Sequence, residues 1–182
     1  AGPARAGARC QWHVMGACRA LQTKESARMK LTAEAGSHQI VVTEEFAAPP
    51  ALVFRAYTEP ELMQQWLGPH GYTMTMEEFE LRDAGRWHYT HIDPEGNAYG
   101  FRGVFHGTPT LEAGIVQTFE FLGMPGHVSL DCASFEATET GTLLRTNSIF
   151  QTVEDRDGML ESGMAEGMQQ GYEQLAELLK RL

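Results

Sequence analysis

Cysteine is scarce in this chain, with only Cys10, Cys18 and Cys132 among 182 residues. Three thiols at such irregular spacing exclude a disulfide framework. Cys10, His13 and Cys18 are zinc-ligand types, but no fourth ligand follows at a recognised spacing, so no metal is expected. Positive charge is also short, 14 Lys and Arg against 24 Asp and Glu, for a net charge of −10. Phosphate contacts need clustered cations, so nucleic acid and anionic membranes are poor partners for the acidic body. No apolar run approaches the roughly 18 residues that mark a membrane span. Residues 1–30 contain no apolar stretch of the secretory-signal kind, which points to a cytoplasmic chain. Phosphate loops, Ser-His-Asp order and internal repeats are absent too, and no cofactor is expected.

What the chain does have is uneven. Residues 1–30 hold six basic residues (Arg5, Arg9, Arg19, Lys24, Arg28, Lys30) and the single acid Glu25, in an Ala- and Gly-rich setting without periodicity. Residues 1–36 therefore read as a basic, disordered extension preceding a domain at 37–182. Met29-Lys30 also reads as a translation start.

Regular patterning begins at Ser37. Ile40, Val42 and Phe46 alternate with polar neighbours as in a half-buried strand. Pro49-Pro50 opens a short helix with Val53, Phe54 and Tyr57 inward. Thr58-Glu59-Pro60-Glu61 has the form of a capping box, introducing a second short helix that carries Leu62, Trp66 and Leu67 and stops at Gly68-Pro69. Six strand candidates follow. Tyr72, Met74 and Met76 alternate and then slip phase at Glu77-Glu78, which predicts a bulge. Trp87, Tyr89 and His91 share one face of the next strand, and Tyr99, Phe101, Gly103 and Phe105 share a face of the one after. Alternating runs at 115–121, 128–135 and 142–150, with turn signals between them, complete an antiparallel meander.

From Leu160 to Leu182 the apolar residues fall in one helical stripe that includes Met164, Gly167, Met168, Gly171 and Leu175. This predicts one long amphipathic helix, its start favoured by Asp155 or Asp157 at the positive end of the dipole. Gly163, Gly167 and Gly171 recur every fourth residue. Three interior helix glycines would cost about 3 kcal/mol relative to alanine. Close approach of helix to sheet would account for them, and so would space kept for a ligand, walled by the adaptable Met159, Met164 and Met168.

This order of elements is that of an α+β helix-grip (START-like) fold, a curved antiparallel sheet wrapped around a long C-terminal helix with two short helices after the first strand. Phe46-Ala47-Ala48-Pro49, Val53-Phe54-Arg55-Ala56-Tyr57-Thr58 and Gln65-Trp66-Leu67-Gly68-Pro69 resemble the opening signature of the SRPBCC (START-like) superfamily. Glu80-Leu81-Arg82-Asp83-Ala84-Gly85-Arg86-Trp87 resembles the hairpin motif of the branch of homologues of the activator of the heat-shock protein 90 ATPase. That branch commonly has two glycines where this chain has Ala84-Gly85. Gly103-Val104-Phe105, Gly163-Met164-Ala165-Glu166-Gly167 and Tyr172 to Leu175 fit as well, so the resemblance spans roughly residues 38–182. It implies a cavity that binds a hydrophobic molecule. It also implies two alternatives, a polyketide cyclase or dehydratase-like activity and a chaperone-ATPase regulator. Characterised regulators of that chaperone carry an additional domain without a counterpart here. Fold alone does not choose among these.

If the sheet is concave toward the helix, Trp87, Tyr89, His91, Phe101, Gly103, Phe105, Phe119, Phe121, Leu130 and Cys132 face inward. Trp66 from the second helix and Met164, Gly167, Met168 and Gly171 from the last helix join them as candidate ligand-binding residues. A mostly apolar lining with few polar groups suits a small hydrophobic molecule. His91 with Tyr89 or Tyr99 could supply acid–base chemistry, but no residue is singled out as catalytic. His88 points away from His91 and cannot share a metal with it. His70 is expected near the cavity, and His106 and His127 in solvent. Arg82, Arg86, Arg102 and Arg145 are expected to pair with carboxylates on the outer sheet face. No exposed apolar stripe argues for association, leaving monomer and homodimer both open.

Overall fold

A computed structural model describes residues 22–25 and 29–182, the first four by their backbone. In chain order the elements are β1 (Gln22–Glu25), β2 (Lys30–Ala33), β3 (Gln39–Phe46), α1 (Pro50–Thr58), α2 (Pro60–Met63) and β4 (Thr73–Phe79). Then come β5 (Arg86–Ile92), β6 (Ala98–Val104), β7 (Ile115–Phe121), β8 (Val128–Ala137), β9 (Thr142–Ile149), α3 (Val153–Glu161) and α4 (Met164–Leu179). The strands form one antiparallel sheet in the order β1-β2-β3-β9-β8-β7-β6-β5-β4. Local alternation becomes burial: Ile40, Val42 and Phe46 of β3 and Trp87, Tyr89 and His91 of β5 are buried, their neighbours less so. The bulge expected in β4 lies between Met76 and Glu78. The helix-grip arrangement is present: α4 buries Tyr172, Leu175, Leu178 and Leu179, packs against α1, and sets Tyr172 edge-on to Phe46 of β3 at 5.7 Å.

Four local expectations need correction. The sheet begins upstream of residue 37, because Lys30–Ala33 pairs with β3 and buries Leu31 and Ala33 beside Met29. A run of only four residues is too short to show its period against the basic background. The Cys10, His13 and Cys18 set lies outside the described residues. Thr58 does not cap α2; it ends α1, where its hydroxyl donates to the Phe54 carbonyl at 2.8 Å, and α2 has no side-chain cap. Trp66 and Leu67 lie just beyond α2, in the turns before Gly68. Finally, the C-terminal helix is two helices. α3 starts at Thr152, whose hydroxyl accepts from the Asp155 amide, with Glu154 and Asp155 in the first turn. The chain then breaks at Gly163, which adopts φ 86° and caps α4.

The glycines thus have separate reasons. Gly163 supplies a left-handed backbone that a side chain would strain. At Gly171 a Cβ would lie 3.2 Å from the Trp66 carbonyl oxygen, so helix and loop approach closely there. The partner is that loop and not the sheet. Gln174 Nε2 donates to the Gly68 carbonyl at 2.8 Å, and the His70 amide donates to Gln170 Oε1 at 2.9 Å. These bonds tie α4 to residues 66–70.

Candidate functional site

Between the sheet, the 63–68 segment and α4 lies a cavity of about 300 Å³. Trp87, Tyr89 and His91 of β5 line it, with Phe105, Phe119 of β7, Trp66, Met164, Gly167, Met168 and Gly171, as the sequence pattern predicts. Trp66 is fixed by its indole, whose Nε1 donates to the Ala56 carbonyl at 2.9 Å. Trp87 and Tyr89 stack at 5.4 Å between centroids, and the His91 ring lies 5.0 Å from Tyr89. Gly103 makes the Trp87 position possible. A Cβ there would stand 1.9 Å from the Thr118 carbonyl oxygen and 2.5 Å from Trp87 Cζ2.

Several expected residues do not reach the cavity. Gly103 lies beneath the Trp87 indole. Phe101 packs against Tyr89 at 5.2 Å and Phe119 at 5.5 Å, supporting lining residues without joining them. Phe121 stacks on Phe101 at 5.3 Å, one step farther along the sheet. Tyr99 turns its hydroxyl to Asp93 Oδ2 at 3.1 Å, so it is unavailable to His91. His70 is exposed and outside the lining. His106 and His127 are exposed as expected, His127 Nδ1 lying 2.6 Å from Asp155.

The largest correction concerns β8. Its inward positions are Ser129, Asp131, Ala133 and Phe135, opposite Phe119, Gln117 and Ile115 of β7 in the first three cases. Leu130 is instead 37% exposed, and Cys132 borders the cavity between two inward positions. In the first half of this strand the apolar Val128, Leu130 and Cys132 sit on the phase that does not point inward, so an alternation rule assigns the faces in reverse there.

That reversal places polar groups in the cavity. Asp131 accepts from Ser129 Oγ at 2.9 Å and is also hydrogen-bonded to Ser148. Burial pushes its carboxyl above the ordinary value, against the pull of those two hydroxyls. Burial, reinforced by the Asp131 charge, raises the Tyr89 phenol. Tyr172 is pushed up to about 12 by burial, although its hydroxyl is bonded to Tyr57 and Thr146. His91 moves the other way: burial lowers it, partly offset by a hydrogen bond with the Leu67 backbone. On the outer face Arg82–Glu80 (2.7 Å), Arg86–Glu78 (3.8 Å) and Arg102–Glu120 (2.7 Å) form the expected pairs, whereas Arg145 has no ion pair among the described residues. No group of three metal-ligand side chains occurs among the described residues. No described helix is long and apolar enough to cross a membrane.

A curved antiparallel sheet gripping a C-terminal helix around a mostly apolar cavity defines the helix-grip class. Residues 47–180 match the family described as activator of Hsp90 ATPase homolog 1-like protein, and the chain belongs to that family. Among solved structures, a protein from Rhodobacter sphaeroides is similar at 26% identity and TM-score 0.77, over 85% of this chain and 99% of that one. A protein from Nitrosomonas europaea shares 28% identity at TM-score 0.70, over 82% and 97% of the two chains. A Mycobacterium smegmatis protein, 20% identical at TM-score 0.75, covers 87% of this chain with 97% of its own and shares the fold. Among curated proteins there is no significant match.

Proposed function

We propose that this protein is a receptor for one small hydrophobic molecule, held between the sheet and α4. The observation that carries the reading is the cavity of about 300 Å³ walled by Trp66, Trp87, Phe105, Phe119 and the methionines of α3 and α4. That volume lies at the lower end of the range of small-molecule sites. Removing apolar ligand surface from water would drive binding, at roughly 25 cal/mol per Å². Two ring nitrogens, Trp87 Nε1 and His91 Nε2, are buried with no hydrogen-bond partner among the described residues. Buried polar atoms left unpaired are costly, and a ligand oxygen would satisfy them.

The test is thermal unfolding of the full chain with a panel of small aromatic and aliphatic alcohols. A ligand at one hundred times its Kd stabilises the native state by about 2.7 kcal/mol. For a chain of this size that raises the midpoint by roughly 5–10 °C. Met168→Trp, which fills the cavity, should abolish the shift. No shift with any member of the panel would remove the receptor reading.

A cyclase-like activity is favoured by one observation, that His91 and Tyr89 both line the cavity with rings 5.0 Å apart. A poly-ketone substrate whose turnover is unchanged in His91→Gln and Tyr89→Phe would eliminate it.

A further inference from the structure

One stretch of the cavity wall differs chemically from the rest. Asp131 of β8 sits between Gln117 of β7 and Ser148 of β9, its register partners on either side. Its carboxylate lies deep in the protein yet borders the cavity. Burial raises its carboxyl, and the hydroxyls of Ser129 and Ser148, both hydrogen-bonded to it, pull the other way. No Lys or Arg borders the cavity among the described residues. A buried carboxylate without a countercharge is expensive to keep, and a cation entering the cavity would supply the countercharge that burial denies it.

The surroundings suit a cation. The stacked rings of Trp87 and Tyr89, with Phe119 at 6.1 Å from Trp87, form aromatic walls of the same cavity. Aromatic faces attract cations, most strongly where water is excluded. Glu44, buried on the inward side of β3, is a second acidic group near Tyr57 and Tyr172. The net charge of −10 raises the cation concentration around the whole molecule. We infer that the cavity selects an apolar molecule bearing one protonated amine, with its ammonium group on Asp131 and its hydrocarbon body against Trp87 and Phe119. This rests on the receptor reading and narrows it to a ligand class. A protonated Asp131 donating to a ligand carbonyl is the competing arrangement: burial favours it, the two hydroxyls oppose it, and an ammonium on Asp131 would tip the balance to the carboxylate.

Calorimetric titration of the full chain with three probes of one shape separates the possibilities. The probes are 2-(2-naphthyl)ethylamine, 2-(2-naphthyl)ethanol and 2-naphthylacetate, at pH 7.5. The amine should bind at least tenfold more tightly than the alcohol, and the carboxylate more weakly than either. In Asp131→Asn the amine and the alcohol should come within twofold of each other. Asp131→Ser provides the same comparison if the asparagine variant does not fold, and the wild-type ranking stands without either variant. Equal binding of amine and alcohol, or tightest binding of the carboxylate, would overturn the amine inference and leave the receptor reading intact. A preference that survives loss of Asp131 would overturn it as well. If no probe binds, both readings fall together.

Discussion

Gly103 and Gly167 face the same chemical change, addition of one methyl group, and the structure predicts opposite outcomes. In Gly103→Ala the new Cβ would stand 1.9 Å from the Thr118 carbonyl oxygen and 2.5 Å from Trp87 Cζ2. The first neighbour is backbone of the adjoining strand, so relief requires more than an ångström of movement in the sheet where β7 turns toward β6. Overpacking of this kind costs about 1–3 kcal/mol, and a clash with backbone belongs at the upper end. In Gly167→Ala the nearest foreign atom is Pro69 Cγ at 3.5 Å, an ordinary contact. Only the helix preference for alanine then remains, a gain of about 0.8–1 kcal/mol. The two variants should therefore differ by about 4 kcal/mol, a large part of the 5–15 kcal/mol that typically holds a domain folded. Urea unfolding followed by tryptophan fluorescence and far-ultraviolet circular dichroism measures both. A Gly103→Ala protein within 0.5 kcal/mol of the parent, or a Gly167→Ala protein less stable than the parent, would refute the packing described for the cavity wall.

Further outcomes follow from other contacts. Ala84 adopts φ 53°, in the left-handed region. Ala84→Gly should raise stability by about 0.5–1 kcal/mol, the net of relieved strain and greater unfolded-chain freedom, and an unchanged urea midpoint would contradict this. Leu144 is fully buried between β3 and β8, so Leu144→Ala should cost about 2–5 kcal/mol in the same assay. Burial holds the folded-state pKa of His91 below its ordinary value near 6.5. Unfolded His91 then binds a proton more readily, so its contribution to stability is present above 6.5 and is lost as pH falls toward the folded value. His91→Phe should flatten the change in urea midpoint between pH 7 and pH 5.5, and an identical slope would contradict the burial of that ring.

The fold was largely legible because its strands alternate strongly. Trp87, Tyr89 and His91 mark the inner face of β5 without ambiguity, and the slip at Glu77-Glu78 marks the β4 bulge. The Gly163 break was hidden by its own regularity, since a glycine every fourth residue keeps the helical phase while one of them takes a left-handed backbone. β8 misled for a chemical reason. Alternation equates apolar with inward, but Ser129, Asp131 and Ser148 put polar groups on the inner face, along the cavity. The signal that could have revealed them is the pairing with β7: an inward Phe119 and Gln117 carry Ser129 and Asp131 inward as register partners.

The most direct examination of the receptor reading is a crystal structure of the full chain grown with 2-(2-naphthyl)ethanol. The account predicts density for one naphthyl ring enclosed by Trp87, Phe119 and Met168, with its hydroxyl near His91 or Trp87 Nε1. A cavity closed by its own side chains, or probe density only on the outer surface, would contradict it.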